Sequence, residues 1–332
     1  MKQYSETICD TVINDWTMIP ANLKAGKVLL NKKNRPIARK GGWCKIYKCE
    51  IDGKPKALRL WLNEMNEKEM AERSKAISEF ITTHQSKYLI NFEYIPEGYM
   101  FNGEKYPIIL MDWCQGRTMK QYISDCVEES DTESILTLAR QFLEMTDELH
   151  SLGISHGDLQ HDNIMITEDG SLKLVDYDSM FVPSLKGHED NCLGYSGFQL
   201  PNARENNKYL SSKTDYFSQL IVILTLECII QNSSLWSRYL DDDDTVSLLF
   251  KREDFLKLKS SNIYSDIKNL KEEVPYLLNV LEQYLQKRNI DELWPFYESN
   301  KDVQSLYCIN CGQKVIEIID KYCTKCGSSI YV

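Results

Sequence analysis

Two stretches of the chain hold residues whose types and spacing could carry chemistry. In the last twenty-five residues, Cys308, Cys311, Cys323 and Cys326 form two C-x-x-C-G knuckles eleven residues apart. Four thiolates so spaced close a tetrahedral Zn2+ site, each tight turn supplying two sulfurs. Gly312 and Gly327 follow the second cysteine of each pair, where such a turn needs a residue that tolerates positive φ. A closed four-cysteine site keeps no open coordination position, so its metal holds structure rather than performing a reaction. The competing reading, a redox dithiol, is usually a single pair at a strand-to-helix junction. The second stretch is His156-Gly157-Asp158-Leu159-Gln160-His161-Asp162-Asn163, followed by the apolar Ile164-Met165-Ile166. Beyond it, Leu172-Lys173-Leu174-Val175-Asp176-Tyr177-Asp178 places Asp176 thirteen residues after Asn163.

The elements that must position these residues follow from the apolar periodicity. Residues 44–50 and 56–62 read as strands flanking an Asp52-Gly53 turn, and 106–111 as a buried strand from its continuous apolar run. Residues 64–83 read as a helix with Met70, Ile77, Phe80 and Ile81 on one side. After residue 116 the pattern turns helical: an amphipathic helix over 131–152, a largely apolar and hence buried one over 212–230, and a third over 266–286. Asp241 to Asp244 read as a solvated acidic loop rather than a metal site. A strand-rich front, a helical back and a short connector predict an α+β chain of two lobes with a cleft between them. The boundaries are 1–111 for the first lobe with a basic N-terminal extension, 112–116 for the hinge, 117–302 for the helical lobe and 303–332 for the cysteine module.

The H-x-D-x-x-x-x-N run with its later strand aspartate resembles the catalytic core of the protein-kinase superfamily, in the manner of divergent bacterial Ser/Thr kinases. The resemblance implies a bilobal kinase-like fold, ATP with Mg2+ or Mn2+ as cofactors, and protein hydroxyls as acceptors. It makes Asp158 the base that takes the acceptor's proton, Asn163 and Asp176 the Mg2+ ligands, and His156 a scaffold residue. Met111 stands as gatekeeper, with the backbone of Asp112 and Cys114 facing adenine. Ala57 and Arg59 stand on the strand that contacts ATP, and Gly41 and Gly42 in the phosphate loop. Asp215 and Ser218 open the buried helix as D-x-x-S, similar to the aspartate that props the catalytic loop. Residues 194–201 resemble the end of an activation segment. The cysteine module resembles a zinc ribbon, which implies a role in docking a protein partner or bracing the chain.

Departures from the kinase pattern are as informative. Arg59 replaces the ATP-anchoring lysine, keeping the charge without the compact ammonium. On the 64–83 helix only Glu72 and Glu79 offer a partner for it, both out of phase. Lys45 or Lys48 on the preceding strand could share the phosphate contact. Arg39 and Cys44 occupy the places of two phosphate-loop glycines, and Asn202 that of the closing glutamate. Gln160 stands in place of the transfer-site lysine and offers only neutral hydrogen bonds. Gly157 replaces the arginine that reads a phosphorylated activation segment, so no such switch is expected. The metal-binding triplet reads Asp176-Tyr177-Asp178, with its glycine lost. These changes predict slow transfer that includes autophosphorylation. They keep two alternatives open: a nucleotide-binding pseudokinase scaffold docked through the ribbon, and a small-molecule phosphotransferase.

Composition sets the remaining bounds. With 332 residues, 42% apolar and only 15 Gly and 9 Pro, the chain is neither low-complexity nor disordered. The longest apolar stretch, Phe217 to Ile230, is interrupted by Ser218, Gln219, Thr225 and Glu227 and is too short for a membrane span. The polar start and the seven other cysteines, read as buried thiols, fit a reducing compartment, and the expected location is cytoplasmic. A net charge of −10 argues against bulk nucleic-acid binding. Residues 24–59 nevertheless hold twelve Lys and Arg against Glu50 and Asp52. That is a solvated surface, or a face for phosphates or an acidic partner.

Overall fold

The structure is a computed structural model that describes residues 4–296, except 21–22, 24–25, 42, 64–66, 190–193, 202, 204–207 and 241–245. The four paired cysteines, Gly42, Asn202 and the 241–244 acidic run therefore lie outside the described residues. The chain divides into two compact units: Met1–Gly116 with Lys173–Asp178, and Arg117–Leu172 with Ser179–Val332.

The first unit is built on an antiparallel sheet of six strands: β1 (Lys27–Val28), β2 (Ala38–Lys40), β3 (Cys44–Ile51), β4 (Lys54–Trp61), β5 (Phe92–Phe101) and β6 (Glu104–Asp112). The order is β1-β3-β4-β6-β5, with β2 also paired to β3. Strand β5 is absent from the sequence reading because Pro96 and Gly98 spoil its alternation. The structure accommodates them in a register shift between Ile95 and Tyr99. Helix α2 (Glu67–Thr83) corresponds to the expected 64–83 helix.

A further helix, α1 (Glu6–Asn14), was not expected. Its N-cap Ser5 accepts the N–H of Ile8 at 3.3 Å. Ile8, Cys9, Val12 and Ile13 form its buried stripe, packed in one core with Tyr47, Cys49, Leu58, Leu60 and Ile108 of the sheet. Its acidic flank pairs with the basic region: Glu6 with Lys40 at 2.5 Å, and Asp10 with Lys45 at 2.7 Å. Lys27 pairs with Glu50 at 2.9 Å and Lys56 with Asp112 at 2.5 Å. These pairs engage four of the twelve basic residues in 24–59 inside the unit.

The second unit is mainly helical, with α3 (Met119–Glu128), α4 (Thr132–Leu152) and α5 (Tyr216–Gln231) as its principal elements. Helix α4 matches the expected 131–152 span. Asp131 caps it by accepting the N–H of Ser134 at 3.1 Å, and Gly153 ends it at φ 66°. Every residue of α5 from Phe217 to Ile229 is buried, as its largely apolar character predicted, and Ser218, Gln219, Thr225 and Glu227 are buried with it. Among the described residues no helix is long and apolar enough to cross a membrane.

The expected 266–286 helix is two helices. The segment Asn262–Ile267 ends, Glu272 takes φ 57°, and a new helix runs over Val274–Tyr284 with Pro275 in its first turn. Proline has no N–H to donate and clashes with the preceding turn, so it can begin this helix but not continue one.

Candidate active site

Alternation along β4 sorts its side chains between the two sheet faces. Leu58 and Leu60 face the α1 core, so Ala57 and Arg59 face the other way. Register then fixes their neighbours: Ala57 lies opposite Met111, and Arg59 lies between Ile46 and Ile109. Ala57, Arg59 and Met111 therefore share one face of the sheet, with Cys44 at its end. The β2–β3 hairpin turns at 41–44, where Gly41 N–H donates to the Cys44 carbonyl at 2.9 Å. At the far end of the face, Asp112 N–H donates to the Asn91 carbonyl at 3.2 Å, and Trp113 N–H to the Pro55 carbonyl at 3.4 Å. What Asp112 can still offer a ligand from its backbone is its carbonyl.

Arg59 is only 2% exposed, and its two terminal nitrogens bind the two carboxylate oxygens of Asp178 as a fork. Its Nη1 also lies 3.9 Å from Asp176 Oδ1. Burial opposes the charge on Arg59, but Asp178 outweighs it and holds the guanidinium firmly protonated. Neither Glu72 nor Glu79 is a partner of Arg59: both are exposed, and Glu79 pairs with Lys75 at 3.7 Å. Lys45 and Lys48 lie on opposite faces of the sheet, paired with Leu60 and Ala57 respectively. Lys45 is held by Glu6 and Asp10, while Lys48 sits 4.6 Å over the Trp113 ring and donates to Gln115. The suggestion of a phosphate contact is corrected for Lys45, which lies opposite Leu60 on the α1 side of the sheet, whereas Lys48 lies on the face of Ala57.

The segment that carries Asp176 and Asp178 belongs to this same unit. Leu174 N–H donates to the Tyr88 carbonyl at 2.8 Å. Tyr177, 1% exposed, accepts the Ile90 N–H and donates to the Leu174 carbonyl. Asp176 itself takes φ 67°, the left-handed region that costs a non-glycine residue about 1 kcal/mol and persists where surrounding bonds enforce it.

In the second unit the 156–163 loop is held from below by Asp215. Its carboxylate accepts His156 N–H at 2.5 Å and Gly157 N–H at 2.9 Å, while burial pushes it up to about 6. Ser218 Oγ donates to the Asp215 carbonyl at 2.9 Å, so the D-x-x-S pair acts as a unit. Asn163 Nδ2 donates to both the carbonyl and Oδ2 of Asp158, each at 2.9 Å. Gln160 is buried and its Oε1 accepts Asp162 N–H at 2.7 Å, leaving its amide nitrogen as a neutral donor. His161 packs edge-on against Phe198, which brings segment 194–200 onto the loop. Gly194, at φ 45°, passes so close that a Cβ there would meet Gln199 Nε2 at 1.9 Å and Asp158 Oδ1 at 3.0 Å.

A family model described as protein kinase domain matches residues 40–302. The chain belongs to the protein kinase family. Maternal embryonic leucine zipper kinase of Xenopus laevis is 28% identical over 147 residues, covering 43% of this chain and 21% of that protein. Serine/threonine-protein kinase pak-1 of Caenorhabditis elegans is 26% identical over 116 residues, covering 35% of this chain and 19% of its own. Serine/threonine-protein kinase STE20 of Saccharomyces cerevisiae is 25% identical over 118 residues, covering 35% and 12%. The matches span about a fifth or less of the length of these relatives.

Within the kinase domain, the residues expected to meet nucleotide, Gly41, Ala57, Arg59, Met111, Asp112 and Cys114, lie in the same unit as Asp176. Asp158, Gln160 and Asn163 lie together in the other. Asp178 is the partner that the sequence reading missed. The signal was present as a carboxylate where the triplet ordinarily ends in glycine, in a chain whose anchor had become arginine. An arginine fork calls for a two-oxygen acceptor in a way that a lysine ammonium does not.

Proposed function

We propose that this kinase domain transfers the γ-phosphoryl group of ATP, with Mg2+ or Mn2+, to serine or threonine hydroxyls of proteins, itself included. The observation that carries the reading is the double hydrogen bond from Asn163 to Asp158. It fixes the Asp158 carboxylate to accept a proton from an acceptor hydroxyl. It also spends the nitrogen end of the Asn163 amide, leaving its Oδ1 as a hard oxygen ligand.

Asn163 Oδ1 and the half-exposed Asp176 carboxylate are each the kind of oxygen donor that Mg2+ prefers, and the kinase pattern names both as its ligands. That ion would neutralise charge on the transferring phosphoryl group. Met111 and Ala57 would bound the adenine, the Asp112 carbonyl and Cys114 backbone would meet its edge, and the Gly41-Gly42 turn would cover the phosphates. Arg59 supplies positive charge beside Asp176, and Gln160 gives the transferring group a neutral hydrogen bond. One positive charge fewer than a lysine gives costs about 1–3 kcal/mol of transition-state stabilisation, so turnover is slow. For the C-terminal module the proposal remains a structural zinc ribbon that docks a protein partner, in a cytoplasmic protein.

The test is transfer of labelled γ-phosphate into the protein and into a generic basic protein. Asp158→Asn should abolish transfer and keep nucleotide binding. Asp176→Ala should abolish both. Nucleotide binding without transfer in the wild type would favour the scaffold reading. Transfer confined to small alcohols would favour the third.

A further inference from the structure

Arg59 faces two carboxylates, gripping one as a hydrogen-bonded fork and meeting the other only as a long ion pair. The fork to Asp178 uses both terminal nitrogens, and Asp176 stands 3.9 Å from Nη1, just beyond a hydrogen bond. All three residues belong to one compact unit. A fully buried guanidinium that lost its partner would turn to the nearest remaining anion, because an uncompensated buried cation is strongly disfavoured. That anion is Asp176.

We propose that Asp178 is a positioning residue that keeps Arg59 from closing onto Asp176 and so reserves the Asp176 carboxylate for Mg2+. The inference rests on reading Asp176 as the metal ligand. Asp178 is thereby the partner of the anchor residue, and it sits two residues from the metal ligand rather than on helix α2. Tyr177 lies between the two aspartates and is bonded to Ile90 and Leu174, which sets the spacing at which the fork reaches Asp178 before Asp176. The arginine and the lost glycine are then one change: an arginine at 59 needs a carboxylate at 178.

The experiment titrates Mg2+ into the full chain with a fluorescent ATP analogue and reads the Mg2+ midpoint of nucleotide binding. Loss of a residue that orients a metal ligand typically weakens metal binding by about 10–100-fold, and Asp178→Asn should raise the midpoint by about tenfold. Asp178→Glu, which keeps the fork, should restore most of it. A role confined to stability would lower the melting temperature of Asp178→Asn and leave the midpoint in place, which would overturn the inference. Should Asp178→Asn not fold, Arg59→Met is compared with the Arg59→Met, Asp178→Asn double variant, which removes the buried pair together. The two should share one midpoint. A higher midpoint in the double variant would make Asp178 itself a metal ligand and also overturn the inference. A wild type whose nucleotide binding ignores Mg2+ would remove the reading of Asp176 first, and the role of Asp178 with it.

Discussion

The hydroxyl of Tyr177 accepts the backbone N–H of Ile90 at 2.7 Å, and through it the aspartate turn is pinned to the segment that leads into β5. The same hydroxyl donates to the Leu174 carbonyl at 2.8 Å, so one oxygen satisfies a buried donor and a buried acceptor. Tyr177→Phe keeps the ring's packing and strands both groups. Each buried group left without a partner costs about 1–3 kcal/mol. The variant should lose at least that much in urea unfolding, with an unchanged m-value. Its Mg2+-dependent nucleotide binding should also weaken. An unaltered unfolding midpoint would show that the hydroxyl does not hold the turn.

Asp215 gives the second unit a pH dependence. Burial raises its carboxyl from the ordinary 3.8 to about 6, even against the two N–H groups it accepts. Between those values the folded chain keeps a proton that the unfolded chain has released. Stability contributed by this residue is therefore greatest below about pH 4 and falls as pH rises toward and through 6, by about 3 kcal/mol in all. Asp215→Asn removes this titration. The stability difference between wild type and variant, measured by denaturant unfolding at pH 4, 5, 6 and 7, should shift by that amount in favour of the variant. A constant difference would mean that Asp215 stays ionised throughout.

Gly157 takes φ 81°, and a Cβ built there would lie 2.0 Å from the Ser179 carbonyl oxygen. Backbone occupies the place, so no rotamer change relieves the clash. Gly157→Ala should destabilise the second unit by about 2–4 kcal/mol, combining left-handed strain with displaced backbone. Gly157→Arg, which restores the residue usual in kinases with a phosphorylated segment, should do no better and should confer no dependence on phosphorylation. The check is a thermal melt beside a transfer assay with phosphatase-treated protein. A folded, phosphatase-sensitive arginine variant would refute the argument.

These cases separate what the residues announced from what only packing decides. Asp158, Asn163 and Asp215 could be singled out by type and spacing, because their contacts span a few residues or join the 156–163 loop to a helix start. Helix α4 was legible to its cap for the same reason: Asp131 and Gly153 act locally. The Arg59–Asp178 fork joins positions 119 residues apart and has no local signature beyond two departures from a pattern. Helix α1 was missed because its four apolar residues mean little until the sheet face they cover is known. The division of the 266–286 helix was recoverable from Pro275, which local rules place in a first turn.

For the C-terminal module, the expectation is one Zn2+ per full-length chain, measured by atomic absorption after dialysis against a chelator weak enough to spare tight sites. Thiolate sites of this kind bind so tightly that metal and folding are coupled. Substituting Cys308 and Cys323 with serine should release the metal and leave nucleotide binding in the kinase domain intact. A purified chain without zinc, or a variant that retains it, would refute the four-cysteine assignment.

Gln160 offers the sharpest test of the transfer mechanism, because its two ends do different things. Its Oε1 closes the loop by accepting Asp162 N–H at 2.7 Å, while its nitrogen supplies a neutral donor where an ammonium would give a charge. Gln160→Lys removes the acceptor, a loss of about 0.5–1.5 kcal/mol in stability for one hydrogen bond. It also adds a cation beside the Asp158 loop, worth about 1–3 kcal/mol in a charge-assisted contact to a transferring phosphoryl group. The two effects fall on different observables. The variant should unfold at slightly lower denaturant and yet show a kcat raised by about tenfold, with little change in the KM for ATP. A variant that folds as well as the wild type and transfers no faster would mean that the Gln160 position does not reach the transferring group, and the account of slow turnover would then rest on Arg59 alone.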